Sequence, residues 1–276
     1  MTGLELDWSS LALAGGAMVL AAVVAGFLAG LFGIGGGAVL VPVFYQLFGL
    51  LQVPEAVRMH VSVGTSLAII VPTSLQSFRK HRARGAVDMD LLRSFAIAVP
   101  AGVICAAVVT AYISGAGLRG IFAIMALAVA IKLLFARASW KLGDDIPGGP
   151  VRAFAGWLIG FVSTFMGIGG GVFNNTFMTL FGRPMHQSVA TSSGVGVLIS
   201  IPGFIGYILA GLGAAGLPPV TLGYVNLIMP VLVIPITLLM APLGVNAAHA
   251  LSKRQLEVGF GIFLLLVSAR FFASLL

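Results

Sequence analysis

Gly26-Phe27-Leu28-Ala29-Gly30-Leu31-Phe32-Gly33-Ile34-Gly35-Gly36-Gly37 aligns with Gly160-Phe161-Val162-Ser163-Thr164-Phe165-Met166-Gly167-Ile168-Gly169-Gly170-Gly171. A second anchor follows each stretch in the same order. Met59-His60-Val61-Ser62-Val63-Gly64-Thr65-Ser66 matches Met185-His186-Gln187-Ser188-Val189-Ala190-Thr191-Ser192. Two ordered anchors mark an internal duplication, which organises every later reading of the chain. The halves are residues 1–138 and 152–276, joined by a polar linker over 139–151.

Both glycine stretches sit in apolar surroundings. The 276 residues are 59% hydrophobic and 8% charged, with a mean hydropathy of +1.10. Soluble domains carry about a quarter charged residues, so this chain lacks the polar material to cover a water-facing surface. The runs 91–113, 120–135 and 188–237 are nearly uncharged and apolar on every face. A span needs roughly 20 such residues, which excludes the alternating strands of a β-barrel and predicts an all-α polytopic membrane protein. The N-terminus has no basic residue before its first apolar stretch, so that stretch reads as a permanent span rather than a cleaved signal. The lone Cys105 permits no internal disulfide and is read as a packing residue within its helix.

Each half divides into five apolar segments, at about 11–32, 38–50, 60–78, 90–113 and 119–137, then 152–166, 172–182, 187–210, 222–245 and 255–274. The second segment is short in both halves, too short to cross hydrocarbon at about 1.5 Å per residue. The first two segments of each half are therefore expected to form a hairpin or re-entrant pair broken at the glycines.

Loop charge sets orientation. Arg79, Lys80, Arg82 and Arg84 follow the third segment of the first half, whereas residues 211–221, their counterpart, carry no charge. By the positive-inside rule the first loop is cytoplasmic and the second is not. The halves then run in opposite senses with both termini outside, an inverted-topology repeat of the kind found in secondary transporters. The net charge of +7 reads as loop charge of this sort, not as a nucleic-acid footprint.

Three glycines in one apolar helix are unfavourable by about 0.8–1.0 kcal/mol each. Gly35, Gly36, Gly37 and Gly169, Gly170, Gly171 permit the helix to unwind and restart near Ala38 and Val172, with free N–H groups facing an anion. Tight helix packing is the competing explanation. Thr65 and Ser66, with Thr191, Ser192 and Ser193, add two hydroxyl clusters that either donate to an oxyanion or bond back to their own helices. Asn174 and Asn175 follow the second break, where the first half has Leu40 and Val41. His60, His186, Arg58 and Arg183 are candidates for a gate or proton carrier, or for plain interfacial residues. Every Asp and Glu lies near a segment end or in a loop, so the path is neutral and suits an anion better than a cation. Neither a Gly-x-Ser-x-Gly elbow nor His-Glu-x-x-His occurs. No catalytic residue, metal or cofactor is expected. The expected partners are a small anion and the lipid bilayer, with association into a homo-oligomer left open.

The stretch Gly35-Gly36-Gly37-Ala38-Val39-Leu40-Val41-Pro42, its repeat at Gly167 to Gly171, and the doubled His-x-Ser-Val-x-Thr-Ser pattern at His60 and His186 resemble the TauE/SafE family of sulfite exporters. The resemblance covers nearly the whole chain. It implies a transporter of a small sulfur oxyanion or organosulfonate-derived anion, often moved outward, in a bacterial-type cytoplasmic membrane. Asn174-Asn175 departs from the apolar continuation of the first half, and selectivity is where that departure would act. A passive anion channel and an intramembrane enzyme are the alternatives.

Overall fold

The computed structural model describes residues 8–32, 37–135 and 141–275. Gly35 and Gly36, two of the candidate site residues, lie outside the described residues. Ten helices occur among those described: α1 (Trp8–Phe32), α2 (Gly37–Leu50), α3 (Glu55–Ala83), α4 (Met89–Tyr112), α5 (Gly115–Phe135), α6 (Gly149–Phe165), α7 (Gly171–Leu180), α8 (Met185–Ala210), α9 (Ile228–His249) and α10 (Lys253–Ala273). The chain is an all-α polytopic membrane protein. Hydrocarbon offers no partner to a free peptide group, so helices are how such apolar runs satisfy their backbones. Among the described residues, five helices are long and apolar enough to cross a membrane by length and composition: α3, α4, α5, α8 and residues 254–273 of α10. Large apolar side chains face outward along them, including Ile97 (83% exposed), Tyr112 (87%) and Leu266 (65%). A water-soluble surface rarely shows apolar area on this scale.

The helices pair in a pattern that survives exchange of the two halves. α1 packs on α9 as α6 packs on α4; α2 packs on α3 as α7 packs on α8; α3 pairs with α8 and α5 with α10. α4 and α6 approach most closely through glycine. A Cβ at Gly102 would collide with the Trp157 carbonyl oxygen, and one at Gly160 with that of Val99. Small residues let backbones approach in this way where lipid supplies no hydrophobic drive between helices.

Side-chain contacts assign the helix ends to two faces. The Arg254 guanidinium, at the start of α10, donates to the carbonyls of Leu133 and Leu134 at the end of α5. Arg119, at the start of α5, donates to the Ser274 carbonyl just past the end of α10, 3.1 Å away. The start of α8 meets the start of α4 through Thr191 and Asp88, and Gly156 and Gly160 of α6 lie against Phe95 and Val99 of α4. The starts of α4, α6, α8 and α10 thus share one face with the end of α3, which carries Arg79, Lys80, Arg82 and Arg84. The start of α3 and the end of α10 share the other. α6 leaves the first face, breaks at Gly167–Gly170, and α7 returns toward it, because α8 begins there at Met185. At about 1.5 Å per residue, the 10 residues of α7 reach only about 15 Å, half a bilayer.

Two details differ from the sequence reading. The segment expected from residue 222 starts as helix only at Ile228, because Thr221–Leu222 and Val225–Asn226 form a two-stranded antiparallel ribbon turning at Gly223 (φ 55°). The apolar run hid that turn. Cys105 is exposed on α4, beside the outward-facing Ile104, so it is a lipid-side residue and not part of the packing.

Candidate functional site

The start of α2 and the break between α6 and α7 touch backbone to backbone. A Cβ on Gly37 would collide with the Gly167 carbonyl oxygen and stand 2.7 Å from the Ile168 Cα. Only glycine admits that approach. Gly167 (φ 60°) and Gly170 (φ 73°) hold left-handed conformations that end α6 and start α7. Ser66 on α3 donates to the Gly167 carbonyl at 2.8 Å, tying the third helix of one half to the broken helix of the other. Ala38 is buried beside Gly37, and a Cβ on Gly169 would meet Ile70 of α3 at 3.0 Å. The Asn174 amide makes the first helical bond of α7, to the Gly170 carbonyl at 2.8 Å. The N–H groups of Gly171, Val172 and Phe173 therefore precede the intrahelical ladder.

Asn174, Asn175 and Ser192 form a buried polar chain between α7 and α8. The Ser192 hydroxyl accepts from Asn174 Nδ2 at 2.7 Å and donates to Asn175 Oδ1 at 2.6 Å. Asn174 Nδ2 also reaches Met178 Sδ at 3.4 Å. Asn174 Oδ1 is fully buried with no partner, an acceptor open to a donor. At the corresponding start of α2, Ala38, Val39, Leu40 and Val41 are buried and apolar.

Thr65 and Thr191 perform one task twice. Thr65 Oγ1 accepts the backbone N–H of Asn226 at 3.0 Å, and Thr191 Oγ1 accepts that of Asp88 at 2.9 Å. Asn226 and Asp88 each cap a fourth helix. Asn226 Oδ1 accepts from the amides of Ile228 and Met229, both at 3.1 Å, and Asp88 Oδ1 accepts from Leu91 at 3.0 Å. Each threonine thus holds the connection that follows the opposite half's third helix, and the two contacts lie toward opposite faces. Sequence reasoning missed Asp88 and Asn226. Each stands one or two residues before an apolar, proline-bearing helix, which is the available signal, but neither lies within an anchor.

The remaining candidates separate. Ser193 is only partly buried and bonds back to the Ala190 carbonyl at 2.5 Å, so it stands apart from Thr191 and Ser192. His60 is buried, with Nε2 3.1 Å from the Ile113 carbonyl oxygen and its ring 4.6 Å from that of Tyr224. His186, its counterpart in sequence, is exposed. Arg58 donates twice to the Val53 carbonyl, at 3.1 and 2.8 Å. Arg183 pairs with Asp145 at 2.8 Å. The structure therefore brings together Gly37, Ser66, Gly167 and Gly169, and separately Asn174, Asn175 and Ser192. It does not bring the histidines or these two arginines into either group. Among the described residues no three His, Cys, Asp or Glu side chains gather as a metal site would require.

The model of the family described as "Sulfite exporter TauE/SafE" matches residues 18–271. A "Probable membrane transporter protein" of Haemophilus influenzae is 31% identical over 254 residues, covering 92% of this chain and 96% of that protein. A probable membrane transporter protein of Methanocaldococcus jannaschii is 28% identical over 87% of this chain and 89% of its own length. One of Bacillus subtilis is 27% identical over 70% of this chain and 78% of its own. No solved structure matches.

Proposed function

The chain belongs to the TauE/SafE family and is a membrane transporter, and from that premise we propose that it moves a small sulfur-containing oxyanion, sulfite or a close relative, outward across a bacterial-type inner membrane. Residues 1–138 and 152–276 act as inverted repeats with both termini outside, and access alternates as the halves rock against each other. The contact of Gly37 with Gly167 and Ile168 carries this reading. It sets the start of α2 against the break from which α7 begins, and the leading N–H groups of such helix starts favour an anion. Ser66 bonds the break itself, and Asn174, Asn175 and Ser192 form a separate polar group one turn into α7. The six described carboxylates stand in connections or near helix ends, so none opposes an anion at the crossing.

Flux of labelled sulfite, sulfate and thiosulfate into proteoliposomes tests the proposal. The expected result is saturable sulfite flux stimulated by unlabelled sulfite on the opposite side. Flux without counter-flow stimulation would make the protein a passive channel, and no anion flux above that of empty vesicles would sink the proposal.

A further inference from the structure

The face of the molecule opposite the Arg79–Arg84 cluster is poor in basic residues. Among the described residues, the helix ends and connections on that face carry Arg58, Arg119 and Arg270 and no other lysine or arginine. All three meet at one place, although they come from α3, α5 and α10. Arg119 is 4% exposed and pairs with Glu55. Its Nη1 also donates to the Tyr45 hydroxyl at 2.5 Å, and its Nη2 to the Ser274 carbonyl at 3.1 Å. Arg58 and Arg119 lie near the Tyr45 ring, 5.4 and 5.8 Å from its centroid. Beside them is a cavity of about 220 Å³ whose lining includes Tyr45, Gln46, Glu55, Arg58, Arg270 and Ser274.

Among the described residues, three guanidinium groups gather around one carboxylate, that of Glu55. Among the described residues, Arg58 and Arg270 form no ion pair. Arg58 uses Nε and Nη2 on the Val53 carbonyl, which leaves Nη1 free of that carbonyl. Arg270 makes one long contact, Nη2 to Gln46 Oε1 at 3.4 Å. Arg58 is half-buried and Arg270 exposed; like charges lining one cavity repel, and an anion between them relieves the repulsion. The guanidinium fork suits the oxygens of a sulfite, sulfate or phosphate group. At about 30 Å³ per water the cavity has room for roughly seven waters, enough for such a group with part of its hydration.

We propose that this cavity is an oxyanion-binding site, distinct from the glycine crossing, in which Arg58 and Arg270 hold the ligand. Arg119 is the positioning residue: it anchors Tyr45, Glu55 and the end of α10 behind them. The ligand is a free oxyanion or the phosphate of an anionic lipid headgroup.

The full-length protein, in nanodiscs of phosphatidylcholine, would be titrated calorimetrically with inorganic phosphate and sulfite. In parallel, native mass spectrometry would count phosphatidylglycerol retained after purification. Arg270→Gln removes one ligand arm and only a 3.4 Å contact. Ala273→Glu adds a carboxylate at the cavity wall and keeps all the arginines. The expected result is a loss of at least about tenfold in affinity in both variants, since a charge-assisted bond is worth that factor or more. Weakened binding of the free ions assigns a soluble oxyanion; loss of retained phosphatidylglycerol alone assigns a headgroup. Unchanged ion binding and unchanged lipid retention in both variants would overturn the proposal. Because the readout is the difference between wild type and cavity variants, it stands or falls separately from sulfite transport at the crossing.

Discussion

Ser66 and Ser192 occupy matching places in α3 and α8, yet they bond in different directions. Ser66 reaches across to the Gly167 carbonyl of the other half, whereas Ser192 stays within its own half, between Asn174 and Asn175. The threonines one residue earlier behave alike in both halves, each accepting a backbone N–H from the opposite connection. The backbone frame is thus duplicated while its polar lining is one-sided. A frame can repeat because helix pairing and capping depend on spacing. An anion, in contrast, is recognised by particular donors, and a single set of them suffices.

The largest effect should come from the point where the halves touch. Gly37→Ala presses a methyl group into the Gly167 carbonyl oxygen and Ile168 Cα, both backbone atoms that cannot swing aside. Overpacking of this kind costs about 1–3 kcal/mol, and transport in proteoliposomes should be lost with it. Gly170→Ala meets side-chain atoms only, Ile199 Cδ1 at 2.6 Å and Val195 Cγ1 at 3.1 Å among them, but is strained by its left-handed backbone, by roughly 1–2 kcal/mol. Transport that survives Gly37→Ala would show that the halves need not approach so closely.

Ser192→Ala should follow, because it leaves Asn174 Nδ2 with only the Met178 sulfur and Asn175 Oδ1 without its donor. Stranded buried polar groups cost about 1–3 kcal/mol. Ser66→Ala removes one interhelical bond, for which membrane cycles average about 0.6 kcal/mol. Thermal melts of the two variants in one detergent compare them directly, and equal destabilisation would remove the asymmetry claimed for the lining.

Thr65→Val and Thr191→Val should each remove about 1 kcal/mol and loosen opposite faces. In a Cys105→Ala background, a cysteine placed near each connection reports this through labelling by a membrane-impermeant maleimide. Labelling should rise near Asn226 for Thr65→Val and near Asp88 for Thr191→Val. A rise at the same face in both variants would contradict the paired arrangement. The smallest contrast is between the histidines. His186→Ala, at an exposed position, should fall within about 0.5 kcal/mol of wild type. His60→Ala loses its contacts with Ile113 and Tyr224 and should melt measurably lower.

The duplicated glycines and the apolar runs were sufficient to read helices, their number and the half-length of the second segment in each half. Hydrophobic length is a local property, written over neighbouring residues. The partners of the site are not local. Asn226 lies 161 residues from Thr65 and 35 from Thr191 in sequence, and neither it nor Asp88 falls within a repeated anchor. The Arg119 cluster draws on residues from Tyr45 to Ser274, so its charge looked scattered. Ser193 adjoins Thr191 and Ser192 in sequence, but successive helix positions point about 100° apart, and its hydroxyl turns back on its own turn. Proximity in sequence misleads on a helix for that reason.

The two threonine contacts also bear on how such a molecule divides its time. Rocking one half against the other would release the bond at one face while the bond at the other persists, so the forward and backward excursions each break one chemically identical hydrogen bond. On the proposed alternating access, the frame itself would then favour neither open form heavily. The occupancy of each would then be biased by the one-sided remainder, the Asn174–Ser192–Asn175 chain on one side of the exchange and its apolar counterpart on the other. A bias of about 1.4 kcal/mol from that remainder shifts the ratio tenfold, enough to give a symmetric machine a preferred resting side.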